Sequence, residues 1–241
     1  METTYYSVFP EGLTETIIEI LKKEKLSLNI LAKGNNYVVF TSNKNANEVS
    51  KLDCFEVSYV LIKYFDKDFS INNQLNWINS NLNTVTTSIK ALIGNERKTF
   101  RIVESRKSGN KTEFNTAIRK IEDRLSTRVR IDRGHPNFEL RVIEKENYGL
   151  IGIRITKPPE FIDEFQRNSV RKEIAYVMSY LSEPQNGDIV LDPFCGGGII
   201  PLIRSKYNPY KRIIASDINS EHIKQKLSSL KIRIKDTSFI S

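Results

Sequence analysis

The sequence predicts an α+β amino-terminal part that gives way to an α/β, doubly wound carboxy-terminal part. Three observations lead there. Strand-like and helix-like stretches with hairpin signals fill the chain up to Ile155. A break at Lys157-Pro158-Pro159 follows, where two prolines cannot continue a ladder. Beyond Gly187 short apolar strands alternate with helices, the grammar of a parallel sheet.

The amino-terminal elements follow one another in a β-α-β-β order. Tyr5–Phe9 has strand composition and Pro10-Glu11-Gly12 ends it. Leu13, Ile17, Ile20 and Leu21 recur at helical spacing, with acids early and lysines late as the macrodipole prefers. Leu28–Leu31 and Tyr37–Phe40 flank Gly34-Asn35-Asn36, a hairpin signal, and Phe55–Phe65 is a further strand. This succession suits a ferredoxin-like domain over residues 1–70. In the next segment, 71–157, a helix is expected over 77–93, a strand at Thr99–Val103 and a basic loop at Arg106–Lys111. A helix over 113–125 carries Phe114, Ile118, Ile121 and Leu125 on one stripe; a short strand at Val129–Asp132 and a hairpin of Phe138–Ile143 with Tyr148–Ile155 follow. The last segment, 158–241, reads as a helix over 169–181, strand Ile189–Leu191, helix 198–206, strand Arg212–Ala215, helix 221–230 and strand Ile232–Ile234. These are the elements of a Rossmann-like sheet.

Composition excludes several classes. At 39% hydrophobic and 27% charged residues, the 241-residue chain has enough apolar material for real cores. No stretch approaches the roughly 20 apolar residues of a membrane span, and Met1 opens no signal peptide, so no membrane role is expected. Cys54 and Cys195 make neither a disulfide framework nor a metal site, and a reducing, cytoplasmic setting is expected. Charge is unevenly placed. Residues 1–89 hold 8 lysines and 10 acids, residues 90–157 hold 17 basic residues against 9 acids, and residues 158–241 hold 12 against 10. The middle segment therefore carries a field suited to a polyanion. Its candidates are Arg97, Lys98, Arg101, Arg106, Lys107, Lys111, Arg128, Arg130 and Arg133, with Arg119 and Lys120 beside them. Each alone is a solvated charge; together they point to phosphate binding.

The most specific local signal is Ile189-Val190-Leu191-Asp192-Pro193-Phe194-Cys195-Gly196-Gly197-Gly198. A buried strand runs into a glycine turn that lets a ligand approach the backbone, and a helix begins at its end. Asp217 follows the next strand, where an acid can accept both hydroxyls of a ribose. His135 and His222 read as a turn residue and a helix-surface residue, and Cys195 as a packing residue of the loop.

Asp192–Gly198 resembles motif I of S-adenosylmethionine-dependent RNA methyltransferases, in the group fused to a THUMP domain. Phe100-Arg101-Ile102, the helix 113–125 and Arg130-Ile131-Asp132 with Pro136 and Glu139–Val142 are similar to THUMP itself. The resemblance implies a ferredoxin-like domain at 1–70, a THUMP RNA-binding domain at 71–157 and a partial Rossmann-like methyltransferase domain at 158–241. It implies S-adenosylmethionine as cofactor, guanine-N2 methylation as reaction, and tRNA or another structured RNA as partner. Asp192, Phe194, Cys195, Gly196 and Gly198 would line the methionine end of the cofactor, Asp217 would hold the ribose, and Ile218 would pack on the adenine. Asp236, just past the expected third strand, would meet the adenine amino group, and Ser169-Val170-Arg171 matches a helix start near the cofactor. Lys172, Gly197 and Ile199 depart from the family pattern; the last two remove hydroxyls near the cofactor.

The family's catalytic Asp/Asn-Pro-Pro-aromatic tetrapeptide does not occur in the sequence. Asn208-Pro209-Tyr210 precedes the second strand and reads as a turn. The catalytic residues are therefore unassigned, and the alternative is a non-catalytic RNA-binding module or pseudo-methyltransferase acting with a partner chain. A family strand order of 3-2-1-4-5 with three strands present leaves Ile189–Leu191 at an edge. That edge is expected to take a partner chain or to drive self-association.

Overall fold

A computed structural model describes residues 2–26, 29–93, 98–105, 111–156, 170–218 and 237–240. Its contacts divide the chain into two units, one of residues 1–8, 21–51 and 57–157, the other of residues 9–20, 52–56 and 158–241. The helix α1 (Thr14–Lys23) buries Ile17, Ile18, Ile20 and Leu21, as its periodicity predicts.

The first unit is built on one eight-stranded sheet. Its strands are β1 (Thr3–Val8), β2 (Asn29–Lys33), β3 (Tyr37–Ser42), β4 (Val57–Phe65), β5 (Thr99–Ser105), β6 (Arg130–Ile131), β7 (Phe138–Glu144) and β8 (Gly149–Arg154). They lie in the order β2-β3-β1-β4-β8-β7-β5-β6. All neighbours are antiparallel except β5, which runs parallel to both β6 and β7. Strands from residues 3–65 and 99–154 thus share a single ladder through the antiparallel pairing of β4 with β8. A short helix α2 (Ala46–Ser50) was not expected. Asn45 and Glu48 form a reciprocal capping box there, each side chain accepting the other's backbone N–H.

One helix was expected over 77–93, and the structure has two: α3 (Ile71–Ser80) and α4 (Leu82–Ile93). Ser70 starts the first by accepting the Asn73 N–H. Asn81 ends it at φ −124°, ψ 35°, its side-chain amide donating to the Trp77 carbonyl at 2.8 Å. An asparagine that bonds its own backbone competes with helix continuation. The helix α5 (Lys111–Ser126) carries the expected stripe, with Ile118, Ile121 and Leu125 buried.

Alternation along β7 and β8 separates two cores. Leu140, Val142, Ile151 and Ile153 face α3, α4 and α5 together with Phe100 and Ile102. Ile143 and Leu150 face the other way, with Tyr6, Tyr59 and Val39. Buried Glu122 of α5 fastens the helical layer by accepting the Ile102 N–H at 2.8 Å and the Arg133 Nε at 2.6 Å.

The second unit holds a parallel sheet of β9 (Ile189–Asp192), β10 (Arg212–Ser216) and β11 (Thr237–Ile240), in the order β11-β10-β9. Two helices accompany it, α6 (Lys172–Leu181) and α7 (Ile199–Tyr207), and they pack on each other. Asp53 is held there by Lys206 at 2.7 Å and Lys172 at 3.3 Å. One expectation needs correction. The sixth helix begins at Lys172, with Arg171 as its cap residue, not at Ser169. The third described strand is Thr237–Ile240, and Asp236 lies outside the described residues. Residues 232–234, the helix 221–230 and the Lys157-Pro158-Pro159 break lie outside the described residues. Among the described residues, no helix is long and apolar enough to cross a membrane.

Candidate functional site

The site forms where β9 and β10 end side by side. Their parallel register pairs Leu191 with Ile214 and Asp192 with Ala215, which delivers Asp192 and Asp217 to the same carboxyl-terminal rim of the sheet. In open α/β sheets ligands bind outside that rim. Gly196 at φ 49° and Gly198 at φ 72° turn the chain through the left-handed region that disfavours side chains. Gly198 then caps α7 without a side-chain hydrogen bond, leaving its amino-terminal turn to a ligand's polar groups.

The loop is drawn against β10 by two bonds. The Cys195 N–H donates to the Ser216 carbonyl at 2.9 Å, and the Gly196 N–H donates to Asp217 Oδ2 at 2.9 Å. A Cβ built on Gly196 would meet nothing within 4 Å, so the space beside the turn is open.

Asp192 accepts the Phe194 N–H through Oδ1 at 3.4 Å, while its Oδ2 is buried and has no hydrogen-bond partner. Burial pushes this carboxyl above its usual range; the Phe194 N–H opposes that and the neighbouring charge of Asp217 adds to it. An orphaned carboxylate oxygen of this kind is matched by a cationic donor, such as the ammonium of a methionine moiety. The residues present therefore fit the amino-acid end of S-adenosylmethionine. Cys195 is buried, and burial with the charges of Asp192 and Asp217 pushes its thiol up to about 11. It is a packing residue and no thiolate nucleophile.

Phe194 and Ile218 are 88% and 95% exposed, and Ile189 and Leu191 on β9 are 61% and 64% exposed. Asp236 lies outside the described residues. Arg171 is ion-paired with Glu56, and Ser169 is not among the described residues. Asn208 follows α7, and its side chain accepts the Ser179 hydroxyl at 2.5 Å, which is the role of a turn between helix and strand.

The basic candidates are dispersed. Arg97, Arg106 and Lys107 lie outside the described residues, and Lys111 opens α5. Lys98 sits 5.5 Å from the Phe138 ring. Arg128 bonds Asn83, while Arg119, Lys120 and Arg130 are exposed. Arg133 is engaged by Glu122 and by Asp123 at 2.9 Å, and Arg101 by Glu139 at 2.8 Å. His135 is an exposed turn residue whose N–H donates to Asp132; His222 lies outside the described residues. Sequence reasoning missed Arg141 and Arg154, which gather with Arg101 around Glu139. The alternation Glu139-Leu140-Arg141 in a strand was the available signal.

A glycine turn after the first strand and an acid after the second, on one parallel rim, make the nucleotide-binding arrangement of an open α/β sheet. Residues 162–231 match the family model UPF0020, described as an RMKL-like methyltransferase domain. Parts of the chain are similar to two THUMP-containing RNA methyltransferases. The chain is 29% identical over 93 residues to the bovine (Bos taurus) U6 snRNA (guanine-N(2))-methyltransferase THUMPD2, a match covering 38% of this chain and 19% of that one. Over 71 residues it is 35% identical to the bovine tRNA (guanine(6)-N(2))-methyltransferase THUMP3, covering 27% of this chain and 14% of the relative. The matches therefore span less than a fifth of those proteins. Among solved structures, TrmN from Thermus thermophilus shares the fold with a TM-score of 0.71 at 17% identity, covering all of this chain and 74% of that one. SMU.472, a putative methyltransferase complexed with SAH, gives 0.64 at 13% identity, with 99% and 75% covered.

Proposed function

We propose that the chain supplies the RNA-binding and cofactor-binding parts of an S-adenosylmethionine-dependent RNA methyltransferase acting on guanine N2, with tRNA as substrate. Residues 1–70 act as a ferredoxin-like domain, 71–157 as a THUMP domain and 158–241 as part of a Rossmann-like methyltransferase domain, in the cytoplasm. The observation that carries this reading is the Asp192–Gly196–Asp217 arrangement: a buried unpartnered carboxylate oxygen beside a left-handed glycine turn, closed by a second acid.

In this reading the cofactor, when bound, supplies an electrophilic methyl group. Asp192 accepts the ammonium of its methionine end, and Gly196 and Gly198 keep the backbone low enough for close approach. Asp217 accepts the ribose hydroxyls while holding the Gly196 N–H, and Ile218 and Phe194 offer apolar surface to the adenine and the methionine chain. Guanine N2 needs acceptors that orient its lone pair, and no Asp/Asn-Pro-Pro-aromatic tetrapeptide is present in the 241 residues to provide them. A second reading is a non-catalytic RNA-binding module completed by a partner chain. The exposed apolar edge of β9 is where a neighbouring strand would add. Methyl transfer from radiolabelled S-adenosylmethionine to tRNA separates the two. Labelled N2-methylguanine supports the first; tRNA and cofactor binding without transfer supports the second; failure to bind either sinks both.

A further inference from the structure

The face of the eight-stranded sheet opposite α3, α4 and α5 carries a row that runs across the strands. Register pairs Tyr6 of β1 with Tyr59 of β4, and Tyr59 with Arg154 of β8. Arg154 reaches Glu139 of β7 at 3.9 Å, and Glu139 is paired with Arg101 of β5. At about 4.8 Å per strand, Tyr6 and Arg101 stand roughly 19 Å apart. One half of the face is aromatic and the other cationic.

The cationic half is a built cluster. Arg101 bonds Glu139 Oε1 at 2.8 Å, and Arg141 bonds Oε2 through Nε at 2.9 Å and through its terminal nitrogen at 2.5 Å. Three guanidinium groups thus share one carboxylate, an excess of two positive charges on part-buried side chains. The Nε atoms of Arg101 and Arg154 are buried without a hydrogen-bond partner. Burial alone would raise the Glu139 carboxyl, but the bonds from Arg101 and Arg141 hold it below the usual range, so it stays ionised and cannot balance three arginines. Gly152 pairs with both Arg141 and Leu61, and a Cβ there would come 3.1 Å from the Tyr59 Cβ. Its missing side chain lets the aromatic and cationic halves meet.

In the aromatic half, Tyr37, Tyr64 and Tyr148 pack at the margin of the small core of Tyr6, Val39, Tyr59, Ile143 and Leu150. Tyr148 stands 5.4 Å from Tyr64 with planes 16° apart, and 4.8 Å from Tyr37. These three rings are half-buried, whereas Tyr6 and Tyr59 are buried. Flat, sequence-tolerant stacking surfaces beside a surplus of guanidinium charge match unpaired bases joined by phosphates. A duplex hides its base faces and cannot use the rings.

We propose that this sheet face binds a single-stranded RNA segment, with a phosphate at the Arg101–Arg141–Arg154 cluster and bases on the half-exposed tyrosines. The proposal rests on the RNA-directed reading above and adds to it the site and the strandedness of the RNA. It places the contact on residues of β4, β5, β7 and β8 and not on the basic loop.

The test is fluorescence anisotropy of the full chain with a labelled single-stranded oligoribonucleotide and a hairpin duplex, across a salt series, with thermal melts of each variant. The combined Arg141→Gln and Arg154→Gln variant is expected to bind the single strand about tenfold more weakly, with the logarithmic salt slope reduced by about 1.4 for two phosphate-neutralising charges. Glu139→Gln should tighten single-strand binding, a change of sign that a merely structural role does not produce. Tyr148→Leu should weaken it while Tyr148→Phe, which keeps the ring and loses the hydroxyl bond to Tyr6, should not. If the parent binds RNA but the arginine variant matches it, or loses duplex and single strand equally, the sheet-face site is wrong while RNA binding stands. If the arginine variant does not fold, Glu139→Gln decides: unchanged or weaker binding overturns the site. A parent that binds no RNA removes both the site and the RNA-directed function.

Discussion

Asp217 Oδ2 takes the Gly196 N–H at 2.9 Å, so the acid at the tip of β10 and the glycine turn after β9 form one hydrogen-bonded unit. The carboxylate that would grip a ribose also holds the loop that would cradle the rest of the ligand. Binding and loop shape are therefore coupled through a single side chain.

Replacing Asp217 should accordingly cost twice. Asp217→Ala removes ribose acceptors and frees the Gly196 N–H, and should weaken S-adenosylmethionine or S-adenosylhomocysteine binding by at least the about 1–3 kcal/mol of one lost partnered acceptor. Asp217→Asn keeps one acceptor oxygen and should fall between. Isothermal calorimetry on the three proteins checks this; equal affinities would return Asp217 to a role in loop structure alone.

Asp192 should be a site where function opposes stability. Its carboxyl is raised by burial, so the folded chain holds this proton more tightly than the unfolded chain. Stability from this group is highest below the unfolded value, near pH 4, and is lost as pH rises through the higher folded value. Asp192→Asn should therefore raise the melting temperature at pH 7.5, with the difference closing by about pH 4, and should abolish cofactor binding. A lower melting temperature at pH 7.5 would show that the orphaned oxygen has a partner in solution.

The basic stretch 106–111 is expected to be a separate source of RNA affinity. Arg106, Lys107 and Lys111 belong to the segment that carries 17 basic residues against 9 acids. Changing all three to Ala should weaken tRNA binding by about 1–3 kcal/mol and flatten its salt dependence. Arg133→Ala, which removes a cation already paired with Glu122 and Asp123, should change the salt slope less. Filter binding across a salt series compares the two, and an unchanged slope for the triple variant would refute the electrostatic account.

Among the described residues β9 is an edge strand whose Ile189 and Leu191 side chains are exposed, and its four residues include neither lysine nor proline. Edges of that composition recruit strands. Sedimentation velocity should show association rising with concentration, and Leu191→Lys should reduce it. A parent that remains monomeric at every concentration would show that this edge recruits nothing.

Much of the local structure was legible because it is written in periodicity. The α5 stripe, the β7–β8 hairpin, and the strand-turn-helix at Asp192–Gly198 stand as the spacing predicts. The turn nature of Asn208 was legible too, since its place between helix and strand leaves it no other local role. What sequence could not show is pairing at a distance. Nothing local in β4 names β8 as its neighbour, and Arg101, Glu139, Arg141 and Arg154 come together only once three strands are in register. Asn81 was misread for a different reason. A polar residue inside a helical pattern ends the helix only if its side chain finds the backbone, as it does at Trp77.

The β4–β8 ladder also sets a schedule for synthesis. β4 is complete at Phe65, but the strand that closes its free side begins at Gly149. At about 5–20 residues added per second, the roughly 80 intervening residues leave β4 waiting on the ribosome for about 4–16 s. Throughout that interval Val57-Ser58-Tyr59-Val60-Leu61-Ile62 presents an unsatisfied apolar edge on β4. A nascent chain stalled before residue 149 is therefore a substrate for chaperones or for another nascent copy, and slow codons between β4 and β8 lengthen that exposure.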